Sequence, residues 1–246
     1  MESDAFYRRI DDLADRADRR GILTRTGFLT AAEQAALKRY YRGEGLLLTG
    51  GAPECERRIA FFLPAYMEPE SLDPGEHISA VRIEAHFGTP GHRDYLGAVL
   101  GLGIRREALG DIRIFGETAY VFCLPAVQPL ILDELDKAGR VGVTVSPCAL
   151  AEVPVPVIRV RTRSCTVKSL RLDAVAGQMF GLSRTSAAEL VRMGAAKLND
   201  LPCEKADAPV GEGDVVSLRG HGKARIRTVG AHSKKDRIFI EVEVYL

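Results

Sequence analysis

The side chains best suited to chemistry in this 246-residue chain are basic groups gathered in its last third. Arg171, Arg184 and Arg192, with Lys168 ahead of them, fall outside the apolar positions of the local pattern. A guanidinium grips a phosphate through two parallel hydrogen bonds, where an ammonium offers a point charge. Arg159, Arg161 and Arg163 stand at alternate positions, which on an extended segment puts them on one side. A charge-guarded strand edge would have the same spelling. Lys197, Arg219, His221 and Lys223 add donors downstream, and Ser183, Thr185 and Asn199 offer hydroxyl and amide groups beside them. Such a set is suited to holding a folded polyanion, and none of these residues is expected to be catalytic.

Two short helices must position these groups. Leu170, Leu172, Val175, Ala176 and Met179 supply the inner face of the first, which Gly181 ends. Ser183 is a fitting N-cap for the second, whose inner face is Ala187, Leu190 and Val191 and which Gly194 stops. Helices this short cannot bury enough surface on their own, so they are expected to lie on the strands that follow. Their outer face, with the amide-rich start of the second helix, is left free for phosphate.

The remainder of the chain sets the context. Phe6, Ile10, Leu13 and Ala17 mark an amphipathic helix, and Thr30 with Glu33 forms a capping box at the start of another. Residues 1–45 are therefore expected to be a helical N-terminal segment. From 46 to 150 strands and helices mix: Val81 to Phe87 alternates, Tyr95, Leu96, Val99 and Leu100 share a helical face, and strands are expected near 111–116, 119–124 and 141–145. A helix should run from Pro125 to about Lys137. This predicts an α+β sandwich of RRM-like type, without the aromatic RNP1 pattern that stacks on bases. Pro147, Pro154 and Pro156 place the boundary between 147 and 165, and 165–246 forms the last domain.

Net charge is only +1, but it divides unevenly: residues 1–150 hold 18 Lys/Arg against 22 Asp/Glu, and residues 151–246 hold 16 against 11. The basic surplus belongs where phosphates would be neutralised. The five cysteines, Cys55, Cys123, Cys148, Cys165 and Cys203, form no C-x-x-C pair and are expected to be reduced thiols rather than disulfides or metal ligands. No long apolar run or signal-peptide pattern is present, so a cytoplasmic protein that spans no membrane is expected. His92-Arg93-Asp94 imitates a kinase triplet, but Val99 stands where Asn is needed and no D-F-G follows. Gly101-Leu102-Gly103 continues to Arg106 instead of glycine, so no nucleotide cofactor is expected.

The run Arg171-Leu172-Asp173, Ser183-Arg184, Ala187, Gly194, Asn199 and Gly213-Asp214 resembles the S4 RNA-binding domain. One departure is Asp200, where many such domains have glycine. Glu56-Arg57-Arg58, Gly88-Thr89, the run from His92 to Glu107, Leu109-Gly110-Asp111-Ile112 and Arg219-Gly220-His221-Gly222-Lys223 are similar to the YlmH family. The resemblance implies a non-catalytic RNA binder of bacterial type, acting as a monomer on 23S rRNA and tRNA of the large ribosomal subunit in quality control of stalled peptidyl-tRNA complexes. An adaptor linked to cell division and an RNA-modifying enzyme are the alternative readings. On the main reading, reversing Arg171 and Arg184 to Glu together should lower affinity without unfolding the chain.

Overall fold

The computed structural model describes residues 2–157, 159–232 and 237–246. The chain divides into two compact units, Met1–Pro156 and Val157–Leu246.

The first unit opens with α1 (Glu2–Arg20), β1 (Thr24–Leu29), α2 (Ala31–Tyr40), β2 (Leu46–Thr49) and β3 (Arg58–Phe62). Both expected helices are present, and Thr30 and Glu33 make the reciprocal cap, with Thr30 N donating to Glu33 Oε2 at 2.7 Å. The segment is not helical throughout, however. β1 lies between the helices and pairs with β3, giving a three-stranded antiparallel sheet in the order β1-β3-β2. The expected break near residue 45 thus falls inside this sheet. β1 is almost wholly buried, so its residues show no alternation to mark it, and its partner lies about thirty residues downstream. Where the register slips between Arg25 and Phe28, the Thr26 hydroxyl accepts from Ala60 N at 3.0 Å and replaces the missing ladder bond.

Next come β4 (Ser79–Ala85), α3 (His92–Gly101), β5 (Leu109–Phe115), β6 (Thr118–Cys123), α4 (Gln128–Glu134), β7 (Lys137–Ala138) and β8 (Val141–Cys148). Their sheet runs β5-β6-β4-β8-β7 with every pair antiparallel. Omitting the two-residue β7, this is the β-α-β-β-α-β topology of ferredoxin-like and RRM domains, as the sequence leads one to expect. Val81, Ile83, Val121 and Val143 face Tyr95, Val99 and Ile131 of the helices. The helix expected from Pro125 to Lys137 is shorter, because a 3₁₀ turn takes Pro125–Val127 and Lys137 enters β7.

The second unit consists of β9 (Val160–Val167), α5 (Leu172–Phe180), α6 (Arg184–Arg192), β10 (Ala196–Leu198), β11 (Leu201–Pro202), β12 (Val215–Leu218), β13 (Gly222–His232) and β14 (Ile238–Tyr245). One six-stranded antiparallel sheet runs β11-β10-β12-β13-β14-β9. β9 pairs with β14 from Val160 to Val167, so the arginine-bearing stretch before residue 165 is an edge strand of this unit instead of linker. Leu172, Val175, Met179, Ala187 and Val191 pack on Val216, Leu218, Ile226, Ile240 and Val242. Each buried Leu, Val or Met contributes about 1.5–3 kcal/mol, which stabilises helices too short to persist alone.

Candidate nucleic-acid interface

The geometry of the helix pair is set at its two turns. Gly181 ends α5 in the left-handed conformation (φ 69°, ψ 32°), with Leu182 N donating to Gly177 O at 2.8 Å. Ser183 then caps α6 by accepting from Ser186 N at 3.0 Å. A side chain on Gly177 would meet Leu182 O at 3.1 Å and crowd the start of α6. This close approach lets Arg184 reach back along α5 to its first turn.

Asp173 waits there. It is 4% exposed, and its carboxylate accepts from Arg171 Nε and Nη2 at 3.3 and 3.1 Å and from Arg184 Nε at 3.2 Å. Burial alone would raise its pKa, but the hydrogen bonds from the two arginines outweigh burial and hold the carboxyl below its usual range. The guanidinium side chains stay 40% and 52% exposed. Nη1 of Arg171 and both Nη nitrogens of Arg184 have no protein partner among the described residues. The trio therefore carries net +1 and presents aimed, partly desolvated donors, the arrangement that grips a phosphate.

The other expected residues fall into three groups. Thr185 and Arg192 are exposed on one stripe of α6, with Glu189 between them, and Lys168 is exposed just after β9. Arg161 and Arg163 pair with Val244 and Val242, so they project from the sheet face that the helices cover, and both remain exposed; Arg159 is exposed immediately before this strand. The β12–β13 turn carrying Arg219 and His221 reaches the helix ends, where Arg219 N donates to Ala195 O at 2.9 Å and the His221 ring lies 6.5 Å from that of Phe180. Arg161, Arg163 and the exposed residues of α6 thus lie on the helix side of the sheet, with Arg219 and His221 at the turn beside the helix ends and Lys168 in the connection between β9 and α5.

Lys197 and Lys223 do not join them. Lys197 alternates with buried Ala196, and its strand partner Ser217 pairs in turn with Lys223, which alternates with buried Ala224. Both lysines thus project from the opposite face, where Lys223 lies 3.7 Å from Asp200 and Arg227 is held by Glu241 and Glu243 at 3.6 Å each. Alternation along a strand sends neighbours to opposite sides, which a count of basic residues does not reveal.

Two polar residues expected at the interface are structural. The amide of Asn199 donates to Asp214 Oδ1 at 2.8 Å and accepts from Val215 N at 2.9 Å, while Asn199 and Asp200 make the hairpin turn with positive φ of 51° and 64°. The Ser183 hydroxyl is occupied at its cap. Asp173, conversely, was visible in Arg171-Leu172-Asp173 as a motif letter, but its clamping role depends on a helix eleven residues on.

In the first unit, the family-like residues make an internal brace. Asp111 accepts from the backbone N–H of Glu56 and Arg57 at 2.7 and 2.9 Å, and Arg57 donates to Phe28 O at 2.7 Å and Leu109 O at 2.9 Å. Asp94 of the kinase-like triplet caps α3 by accepting from Gly91 N at 2.8 Å, which makes the triplet a loop-to-helix junction. The sequence did not disclose the aromatic pair Phe115 and Tyr120, which meet edge to face at 6.1 Å on the sheet side away from α3 and α4. Cys123 is deeply buried, which pushes its thiol up to about 12. Among the described residues no helix is long and apolar enough to cross a membrane, and no group of three or more His, Cys, Asp or Glu could hold a metal ion.

Fold and site together define a chain that joins an α+β unit of ferredoxin-like topology to a basic module made of a helix pair on an antiparallel sheet. Residues 69–152 match the family described as "Putative RNA-binding domain in YlmH". The chain is 34% identical over 215 residues, 86% of its own length and 83% of the other's, to "Ribosome-associated protein quality control protein P2" of Bacillus subtilis (strain 168). It belongs to the YlmH family. In fold it resembles a solved structure titled "Cell division protein ylmH from Streptococcus pneumoniae", with a TM-score of 0.53 at 22% identity, covering 62% of this chain and 94% of that one.

Proposed function

We propose that this protein is a non-catalytic, cytoplasmic RNA binder of ribosome-associated quality control, whose C-terminal unit is an S4-type module. Its targets are 23S rRNA and tRNA of large subunits stalled with peptidyl-tRNA, which it engages as a monomer. The quality-control role of the Bacillus relative and the RNA-binding description of the matched family support the class of function. The observation that carries the RNA contact is Asp173 holding Arg171 and Arg184 side by side at the surface. Arg192 on α6 and Arg161 and Arg163 on the helix side of β9 add exposed cationic groups, as does Lys168 between β9 and α5.

Lys168 and Arg192 are exposed and have no ion-pair partner among the described residues, so Lys168→Glu with Arg192→Glu tests the contact without disturbing the clamp. Co-sedimentation with purified large subunits at several salt concentrations should show weaker binding. The slope of log K against log salt should also become shallower by about 0.7–0.9 per lost phosphate contact. A folded variant with the parent's affinity and salt slope rejects the assignment.

A further inference from the structure

The first unit is acidic, with 18 Lys/Arg against 23 Asp/Glu in residues 1–156, yet three arginines surround one of its clefts. The cleft, about 410 Å³ in volume, lies between α1, β1, the segment before β5 and the start of α4. Arg9, Arg25 and Arg105 line it, and Glu107 is the one acidic residue among its lining groups. Glu107 is 3.9 Å from Arg105, while Arg9 and Arg25 have no carboxylate partner among the described residues. Arg25 donates to Thr26 O at 3.3 Å and is half-buried, and burial pushes its guanidinium down from its ordinary value without discharging it. A cation held out of water beside no counter-ion is a cost that a bound anion would offset.

Apart from Thr26 and the backbone of Gly27 and Gly103, the rest of the wall is apolar. Ile104, Leu124, Val127 and Leu130 line it, and Leu130 remains 40% exposed. A bare phosphate would leave that wall wet and would fill little of the space, which falls in the range of about 300–1,000 Å³ typical of ligand pockets. Guanidinium groups next to an apolar wall match an anionic phosphate next to a flat base. We propose that this cleft binds a nucleoside monophosphate unit, its phosphate held by Arg9, Arg25 and Arg105 and its base lying on Ile104, Leu124, Val127 and Leu130. The unit is either a free nucleotide or one residue of a single-stranded RNA. In the second case the acidic unit adds an RNA contact of its own.

The test is calorimetric titration of the full chain with AMP, UMP, a 5′-phosphorylated single-stranded RNA pentamer and inorganic phosphate. Arg9 and Arg105 are exposed, so Arg9→Glu with Arg105→Glu should fold normally; Leu130→Asp probes the apolar wall independently. The expected result is binding of a mononucleotide more tightly than inorganic phosphate, weakened tenfold or more in both variants. Binding confined to the pentamer, with the same loss, supports the site and assigns it to an RNA chain. Equal affinity for phosphate and nucleotide, absence of any binding, or variants that bind like the parent overturns it. The Lys168→Glu, Arg192→Glu protein should retain mononucleotide binding, which separates failure here from failure of the ribosomal reading.

Discussion

Asp173→Asn sets two effects of opposite sign against each other. The change removes a negative charge from the proposed phosphate-binding surface, so on charge alone affinity should rise, by about 1 kcal/mol where screening is close to that of bulk water. Positioning predicts a loss. Asp173 fixes Arg171 through two hydrogen bonds, at 3.3 and 3.1 Å, and Arg184 through one at 3.2 Å. Without it, both side chains must be immobilised at the moment of binding, at a cost of about 0.5–1.5 kcal/mol each. The net expectation is about 1 kcal/mol, roughly a fivefold weakening. Stability should fall as well, by about 2–3 kcal/mol, because charge-assisted bonds to a buried carboxylate are lost. The assay pairs urea titration, to establish that the variant is folded, with large-subunit co-sedimentation at matched salt. A folded Asp173→Asn protein that binds as tightly as the parent, or more tightly, would refute the positioning argument and leave net charge as the whole explanation. The Arg171→Glu, Arg184→Glu pair suggested by the sequence is a poorer test, since it would place two further carboxylates against Asp173 and unsettle the fold.

Two other outcomes follow from named contacts. Because the Asp173 carboxyl titrates below its unfolded value of about 3.9, the stabilisation it provides is complete above that pH and is lost as pH falls through the lowered folded value. The gap in urea midpoint between the parent and Asp173→Asn should therefore narrow as the pH is taken down from neutral through the lowered folded value of this carboxyl, and a gap that stays constant over an acid titration contradicts the clamp. Gly110→Ala would set a Cβ 2.7 Å from Phe28 Cε1 and 2.8 Å from Phe122 Cβ. It should destabilise the first unit by about 1–3 kcal/mol in urea or thermal melts while large-subunit binding is unchanged.

The amino-acid sequence by itself determined the local elements that carry their own signals. The periodicity of Leu172, Val175, Ala176 and Met179, the glycine stop at Gly181 and the Ser183 cap specify α5 and α6 nearly to the residue. The Thr30–Glu33 box does the same for α2, and strict alternation marks β4. Such signals are legible because each depends on residues a few positions apart. What required tertiary structure depends on partners far along the chain. β1 is a strand because β3 pairs with it, Arg57 and Asp111 form a brace because two sheets meet, and Asn199 is occupied because β12 returns beside its turn. The same holds at the interface. Residue types announced a cationic module, but only the packing of α6 on α5 brings Arg184 to Asp173, and only strand register separates Lys197 and Lys223 from the arginines they follow in sequence. Charge is a property of composition, whereas the direction in which a charge points is fixed by the fold.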